Sequence, residues 1–327
     1  MDKISALVTT YNHQNYIEEC IASLVNQTLR IDEIYVVDNA SSDNTQSIIR
    51  KMQSKYKNIT LFDNHENLGP AGSFNFGIKN SEFAYLIFSS GDDYSELTRV
   101  QSQIDYLENN EDLSVLASPA KTFFDKNYSS IIPKDNLFHE SIITKSDIFK
   151  KLYWEFNFIH ASSLCFTNRQ NSLNYLMNDS LIQLQDFALW LKLSKNFVLG
   201  YGPEMFVSNY LIHEDSMSRQ KNNNSSSQKQ IDLELTAIYS NVIENLTLTE
   251  FNFFFKDFFS IFTKSNPTDD TLDLFKIMIL LSHPSSVIRN LGRLNLMKSS
   301  FQGEPKAMFN RLFGHPLELF WKLSTME

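Results

Sequence analysis

The chain has very little cysteine: two residues in 327, Cys20 and Cys165, each inside an apolar pattern. Two such thiols build no disulfide framework, and the expectation is buried small side chains in a reducing compartment. Several chemical signatures are missing as well. No G-x-G-x-x-G follows the first strand-like run and no G-x-x-x-x-G-K-[ST] occurs anywhere, which removes the usual marks of dinucleotide cofactors and phosphate-loop hydrolases. No Cys/His spacing suits zinc. No window approaches the ~20 apolar residues that span a bilayer, and Met1-Asp2-Lys3-Ile4 lacks the regions of a signal peptide. A soluble or at most peripheral protein facing the cytoplasm is expected. Positive charge is also short: 29 Lys and Arg against 38 Asp and Glu give a net charge of -9, a field that repels nucleic acid.

What is present is ordinary for a packed globular protein, 42% hydrophobic and 20% charged. At roughly 100–200 residues per domain the length allows two domains, or one large one with an appendage. The first half alternates strand-like and helix-like segments, which argues for an α/β fold with a mostly parallel sheet covered by helices. Strand patterns fall at residues 4–10, 34–37, 59–62, 83–88 and 113–117, with helical spacing at 15–26, 43–52, 71–78 and 97–107 between them. Asp43 three residues before Gln46 reads as a helix cap. Residues 121–142 are polar and turn-rich. Helices are expected at 147–154 and 185–193 and strands at 161–166 and 205–212.

Residues 219–230, with an Asn-Asn-Asn-Ser-Ser-Ser run, read as a linker. The expected domains are therefore 1–220 and 221–327, the second an α-helical region with segments at 231–243, 248–262, 272–281, 286–297 and 306–321. Phe251, Phe254, Phe255, Phe258 and Phe262 form an aromatic stripe at helical spacing. It reads as a packed face, with a membrane-surface or self-association face as the alternative.

In an open α/β sheet, ligands bind outside the carboxyl ends of the strands. Those ends carry Thr9-Thr10-Tyr11-Asn12, Asp38-Asn39, Glu66-Asn67 and Asp92-Asp93. Asp38 could accept hydrogen bonds from a nucleobase or ribose, or cap the coming turn. The adjacent carboxylates Asp92 and Asp93 repel each other unless a cation or donors compensate, and a hard divalent ion holding a diphosphate suits them. Gly-Asp-Asp is also a turn composition. Gly69-Pro70-Ala71-Gly72 opens a helix and reads as a simple turn.

In order, these segments resemble the family 2 glycosyltransferases, inverting enzymes with a GT-A fold, over about residues 3–218. Val8-Thr9-Thr10-Tyr11-Asn12 is followed by Ile21-Ala22-Ser23-Leu24-Val25-Asn26-Gln27-Thr28, similar to the family's "CIxSLxxQT". Then come Val36-Val37-Asp38-Asn39-Ala40-Ser41-Ser42-Asp43-Asn44-Thr45 and the stretch Glu66-Asn67-Leu68-Gly69-Pro70-Ala71-Gly72 with Asn75, Gly77 and Ile78. Ser90-Gly91-Asp92-Asp93 stands at the acidic DxDD motif, with Ser90 in place of its first acid. Gln185-Asp186 opening Phe187-Ala188-Leu189-Trp190-Leu191-Lys192-Leu193 resembles the segment that carries the family's base. Tyr210-Leu211-Ile212-His213 is similar to "YRxH", with Leu211 where Arg is usual.

The resemblance implies a metal-dependent inverting transferase. Asp186 would be the catalytic base. Thr9, Tyr11, Asn12, Asp38, Asn67, Gly72, Ser90 and Gly91 would face the donor, and Asp92, Asp93 and His213 would hold Mg²⁺ or Mn²⁺. It implies a nucleotide-sugar donor, UDP-linked by preference, and a glycan or lipid-linked acceptor in cell-surface polysaccharide synthesis. Peripheral membrane contact and a homo-oligomer stay open. The alternative is an inactive GT-A-fold binding protein, suggested by Ser90 and Leu211; a nucleotidyltransferase is disfavoured by the absence of a Gly-rich, Arg-bearing first loop.

Overall fold

The computed structural model describes residues 2–124, 144–169, 171–196, 198–202, 207–212, 225–262 and 267–298. The chain divides into two compact units, Met1–Asn224 and Ser225–Glu327.

In the first unit, β1 (Ile4–Thr10), β2 (Glu33–Asp38), β3 (Ile59–Asp63) and β4 (Tyr85–Ser90) alternate with α1 (Ile17–Val25), α2 (Thr45–Lys55) and α3 (Gly69–Asn80). After β4 come β5 (Tyr94–Ser95), α4 (Arg99–Glu108), β6 (Val115–Ala117), β7 (Ala120–Phe124), α5 (Lys145–Glu155), β8 (Cys165–Thr167), α6 (Gln185–Lys195), β9 (Leu199–Tyr201) and β10 (Ser208–Ile212). Seven strands form one sheet in the order β3-β2-β1-β4-β8-β6-β9, and β5-β10-β7 form a second, small one. β3, β2, β1 and β4 run parallel, β8 is antiparallel to its neighbours, and β9 is parallel to β6. This is the mixed, mostly parallel α/β sheet flanked by helices that the alternation of elements implies, in the GT-A-type form that the family resemblance implies.

The strands form where β-branched and aromatic residues run together, and both faces of β1 and β2 are covered, so Ala6, Leu7, Val8, Ile34, Val36 and Val37 are all fully buried. α1 sends Ile17, Cys20, Ile21 and Leu24 into the same core at 3–4-residue spacing. α3 packs so closely on β1 that a Cβ at Gly77 would lie 2.3 Å from Leu7 Cδ1, and only glycine fits there.

Three local expectations need correction. Asn44, not Asp43, is the N-cap of α2; Asp43, one residue earlier, accepts from the Thr45 amide at 2.9 Å, and Gln46 completes no capping box, its amide reaching Asp38 (2.8 Å) and Asp63 (2.7 Å) instead. The strand expected at 161–166 begins as a short 3-10 turn, Ala161–Ser163, before β8. Helix also reaches back into the expected linker, since α7 spans Ser225–Glu244; its serine run sits at a helix start, where serine is favourable.

In the second unit α7 is followed by α8 (Leu248–Phe262), α9 (Leu272–Leu281) and α10 (Ser286–Lys298). Phe251, Phe254 and Phe255 of the aromatic stripe are buried, as a packed face requires, while Phe253 points outward. The expected helix at 306–321 lies outside the described residues. Among the described residues no helix is long and apolar enough to cross a membrane.

Candidate active site

Strand register assembles the site. Thr10 pairs with Asp38 across β1 and β2, and Thr9 pairs with Ser90 across β1 and β4, so three strand ends meet at one edge of the sheet. The topology brings Asp186 to that edge too. α6 packs on β9 and leads into it, and β9 runs in the same sense as β4. The first turn of α6 therefore lies at the carboxyl ends of the parallel strands. β8 runs the other way, so the residues before it, Asn157 to Ser163, arrive at the same edge.

The β1 and β2 ends are laced together. Asn12 adopts a left-handed backbone (φ 55°); its amide donates to Ser41 Oγ (2.9 Å) and its side-chain oxygen accepts from the Ser42 amide (2.8 Å). The buried Asp38 carboxylate takes the Ser41 amide at 3.0 Å, the Ser41 hydroxyl at 2.5 Å and Gln46 at 2.8 Å. These bonds cap the turn after β2, one of the two roles left open for Asp38. Asn67 serves the next loop in the same way, its oxygen accepting from Asn39 (2.7 Å) and the Gly69 amide (2.8 Å). Gly72 is where α3 passes Leu68, whose Cβ would stand 2.6 Å from any added Cβ. Thr9 is partly exposed at its strand end, and Tyr11 presents its ring to solvent.

The β4 end is built differently. Gly91 leaves no room for a side chain, since a Cβ would lie 2.7 Å from Thr10 Oγ1 and 2.9 Å from His13 Nδ1. Ser90 donates its hydroxyl to Asp92 Oδ1, and His13 Nε2 lies 3.9 Å from Asp92 Oδ2. Asp93, 2% exposed, turns the other way. Its Oδ1 accepts from the Leu211 amide (3.1 Å) and its Oδ2 from the Ser162 hydroxyl (2.5 Å), with His160 Nε2 at 3.3 Å. Ser162 in turn receives the Ser90 amide (2.8 Å), and the His160 ring stands between Asp93 and Ser208 Oγ at 3.4 Å. The two neighbouring carboxylates thus do different things: Asp92 faces the edge, while Asp93 ties β4 to β10 and to the turn before β8.

Beneath them lies Arg99, wholly buried. Its guanidinium donates to the carbonyls of Phe88 (2.8 Å) and Leu164 (3.0 Å), to Ser95 Oγ (3.0 Å) and to Gln103 (3.1 Å). Burial lowers its pKa to about 10, which leaves it charged at neutral pH. Ser23 and Gln27, from the "SLxxQT" string, clasp the segment after β4: Ser23 Oγ takes the Ser95 amide at 2.9 Å, and Gln27 bonds the Glu96 carbonyl and the Val100 amide.

Asp186, in the first turn of α6, accepts from the Phe187 amide at 2.7 Å and from Asn157 Nδ2 at 3.1 Å. His213 lies outside the described residues, and among the described residues no group of three or more His, Cys, Asp or Glu is placed to hold a metal. Sequence reasoning missed His13, His160, Ser162, Arg99 and Asn157. His13 follows Asn12 directly and the strand-end rule applies to it equally; Asn157, His160 and Ser162 act across 29 or more residues and leave no local pattern, and Arg99 looks like any first-turn cation until the fold brings its acceptors together.

The family model for glycosyl transferase family 2 matches residues 5–174. The chain belongs to that family. A curated relative, the UDP-Glc:alpha-D-GlcNAc-diphosphoundecaprenol beta-1,3-glucosyltransferase WfaP of Escherichia coli, is 27% identical over 68% of this chain and 82% of its own. Two solved structures share the fold. TarS 1-349 of S. aureus with UDP-GlcNAc has a TM-score of 0.59 at 17% identity, covering 90% of this chain and 88% of that one. The mannosyltransferase PcManGT of Pyrobaculum calidifontis with GDP-Man and Mn²⁺ has a TM-score of 0.56 at 14% identity, covering 99% and 84%. The protein is a family 2 glycosyltransferase.

Proposed function

We propose that this glycosyltransferase moves a hexose or N-acetylhexosamine, with inversion, from a nucleoside-diphosphate donor to a hydroxyl of a glycan or lipid-linked saccharide at the cytoplasmic face of the membrane. A UDP-linked donor is favoured, because the E. coli relative is named for UDP-Glc and the TarS structure holds UDP-GlcNAc. The observation that carries the reading is Asp92: a partly exposed carboxylate at the end of β4, oriented by Ser90, on the edge shared by Asp186 and the ends of β1 and β2.

The donor set suits a divalent cation. Mg²⁺ is usually held by one or two carboxylates, with substrate phosphates and water completing its shell, so a prebuilt three-residue cage is not required. Asp92 is the residue that would hold Mg²⁺ or Mn²⁺. Asp93 has both oxygens engaged elsewhere and acts through the position of its neighbour. The ion would supply neutralisation of charge on the diphosphate. Around it, Thr9, Tyr11, Asn12, Asn67, Gly72 and Gly91 shape the donor side, with Asp38 holding the loop that supports Asn12. Asp186 takes the proton from the acceptor hydroxyl as its oxygen bonds to the anomeric carbon; the carbon–oxygen bond to the diphosphate breaks and its electron pair leaves with the nucleotide. Domain boundaries at 1–220 and 221–327 fit this division, the helical region supplying acceptor, membrane-surface or self-association contacts.

Ser90 motivates a second reading, an inactive donor-binding protein. Its hydroxyl, however, donates to Asp92 and removes the repulsion that an acid would place there. Titration calorimetry with UDP, GDP, dTDP and CMP, each with and without Mn²⁺, tests the donor site. Binding of one nucleotide only with metal, lost in Asp92→Ala, is the expected result; no binding of any would overturn the proposal, and binding with no transfer to any acceptor would favour the second reading.

A further inference from the structure

The reading of Asp186 as a base requires that its carboxylate be aimed, and the turn after α5 has unusual geometry. Phe156, which ends that helix, has φ 68° and ψ -160°, a backbone region almost exclusive to glycine. A bulky aromatic residue stays there only where its surroundings over-determine it. Two contacts do so. The Phe156 ring packs on Phe187, the residue after Asp186, with centroids 6.3 Å apart. The next residue, Asn157, donates from Nδ2 to Asp186 Oδ2 at 3.1 Å.

The orientation of the Asn157 amide is fixed independently of Asp186. Its Oδ1 accepts the Ile159 amide at 3.0 Å, so the NH₂ end must point at the carboxylate. The other carboxylate oxygen takes the Phe187 amide at 2.7 Å. Turn and helix thus grip Asp186 from two sides, one through the backbone of α6 and the other through a side chain 29 residues earlier.

We propose that Asn157, set by the left-handed turn at Phe156, is the positioning residue of the base: it fixes the rotamer of Asp186 and favours its ionised form. The proposal rests on the assignment of Asp186 as base and adds a residue that acts only through it. Donation of a hydrogen bond to a carboxylate stabilises the charged form, so loss of the donor moves its titration to higher pH. A carboxylate held less firmly also spends less time aligned with the acceptor hydroxyl, an effect that at catalytic distances reaches roughly 100-fold.

The test uses the full-length chain with ¹³C-carboxyl-labelled aspartate, the Asp186 signal being assigned by its loss in Asp186→Asn. In Asn157→Ala that signal is expected to titrate about one pH unit higher than in the parent. In Asn157→Asp, which has the same shape but adds a negative charge instead of a donor, it should move higher again. Sugar transfer, or donor hydrolysis read as UDP release from UDP-glucose, should show kcat lowered about 10- to 100-fold, donor KM unchanged and the acid limb displaced upward with the NMR titration. An Asp186 signal and acid limb unmoved in both variants would overturn the proposal, whatever the loss of activity, because a structural role alone predicts that pattern. Failure of the base assignment is a separate result: Asp186→Asn would then retain near-normal turnover.

Discussion

Two pairs of carboxylates at one end of the sheet behave in opposite ways. Asp38 and Asp93 form a floor: both are buried, and their oxygens bind Ser41 and Gln46 in one case, Ser162, His160 and the Leu211 amide in the other. Asp92 and Asp186 form a rim: both are partly exposed, and each is steered by a neighbour, Ser90 or Asn157. Buried charge that is fully hydrogen-bonded fixes geometry, and leaving its partners unpaired is costly. A carboxylate with water access keeps the freedom to meet a cation or a substrate proton. Asp92 and Asp93 are adjacent in sequence yet fall on opposite sides of this division, so an acidic motif is not a set of equivalent ligands.

The sharpest test of the division separates activity from stability. Asp186→Asn should lower turnover by about 10²–10⁴-fold, as expected for loss of a general base, while donor affinity by calorimetry stays near that of the parent. Near-normal transfer would remove Asp186 from the rim. Next in size is the floor's cation. Arg99→Met removes four hydrogen bonds, leaving the Leu164 carbonyl with only the Phe88 amide, and denaturant unfolding should report a loss of about 2–5 kcal/mol. Asp93→Ala should cost about 1–3 kcal/mol through the stranded Leu211 amide and Ser162 hydroxyl, whereas Asp92→Ala should cost about 1 kcal/mol or less. Equal losses for the two aspartates would break the comparison.

The smallest effect concerns pH. Burial pushes the thiols of Cys20 and Cys165 from 9.0 up to about 12. In the unfolded chain they ionise near 9, in the folded one only near 12, so the unfolded state holds fewer protons between those values and stability falls as pH rises through that window. Roughly 1 kcal/mol per thiol should be lost by pH 10. Unfolding curves at pH 8 and pH 10, compared with a Cys20→Ala, Cys165→Ala double variant, measure it; identical pH dependence in the two would refute it.

Much of this architecture was legible because its signals are local. The apolar runs of β1 to β4 and the helices between them follow from spacing alone, and the rim residues stand in strings that the family shares. The floor was not legible. Arg99 looks like an ordinary first-turn cation, and only the fold shows four acceptors around it. Of the small sheet only β10 falls on an expected strand, 205–212; β5 and β7, of two and five residues, are too short for a period to show. Gln46 has the spacing of a capping box, yet the buried Asp38 and the nearby Asp63 offered better acceptors. The "SLxxQT" string is informative for a different reason than chemistry: Ser23 and Gln27 bind backbone after β4, so the motif marks a scaffold joint.

The bond between the Leu211 amide and Asp93 joins residues 118 apart. A ribosome supplies β1 to β4 first, and those strands can pair while the rest is still being made. Asp93 must wait, its carboxylate desolvating only when β10 has been synthesised and has found its place between β5 and β7. Pairing over such a separation is slow, since a long loop must close before the contact rewards it. The last step in folding the first unit is therefore expected where β4 meets β10, and a nascent chain arrested before Leu211 would hold a nearly complete main sheet with Asp93 still short of its β10 partner.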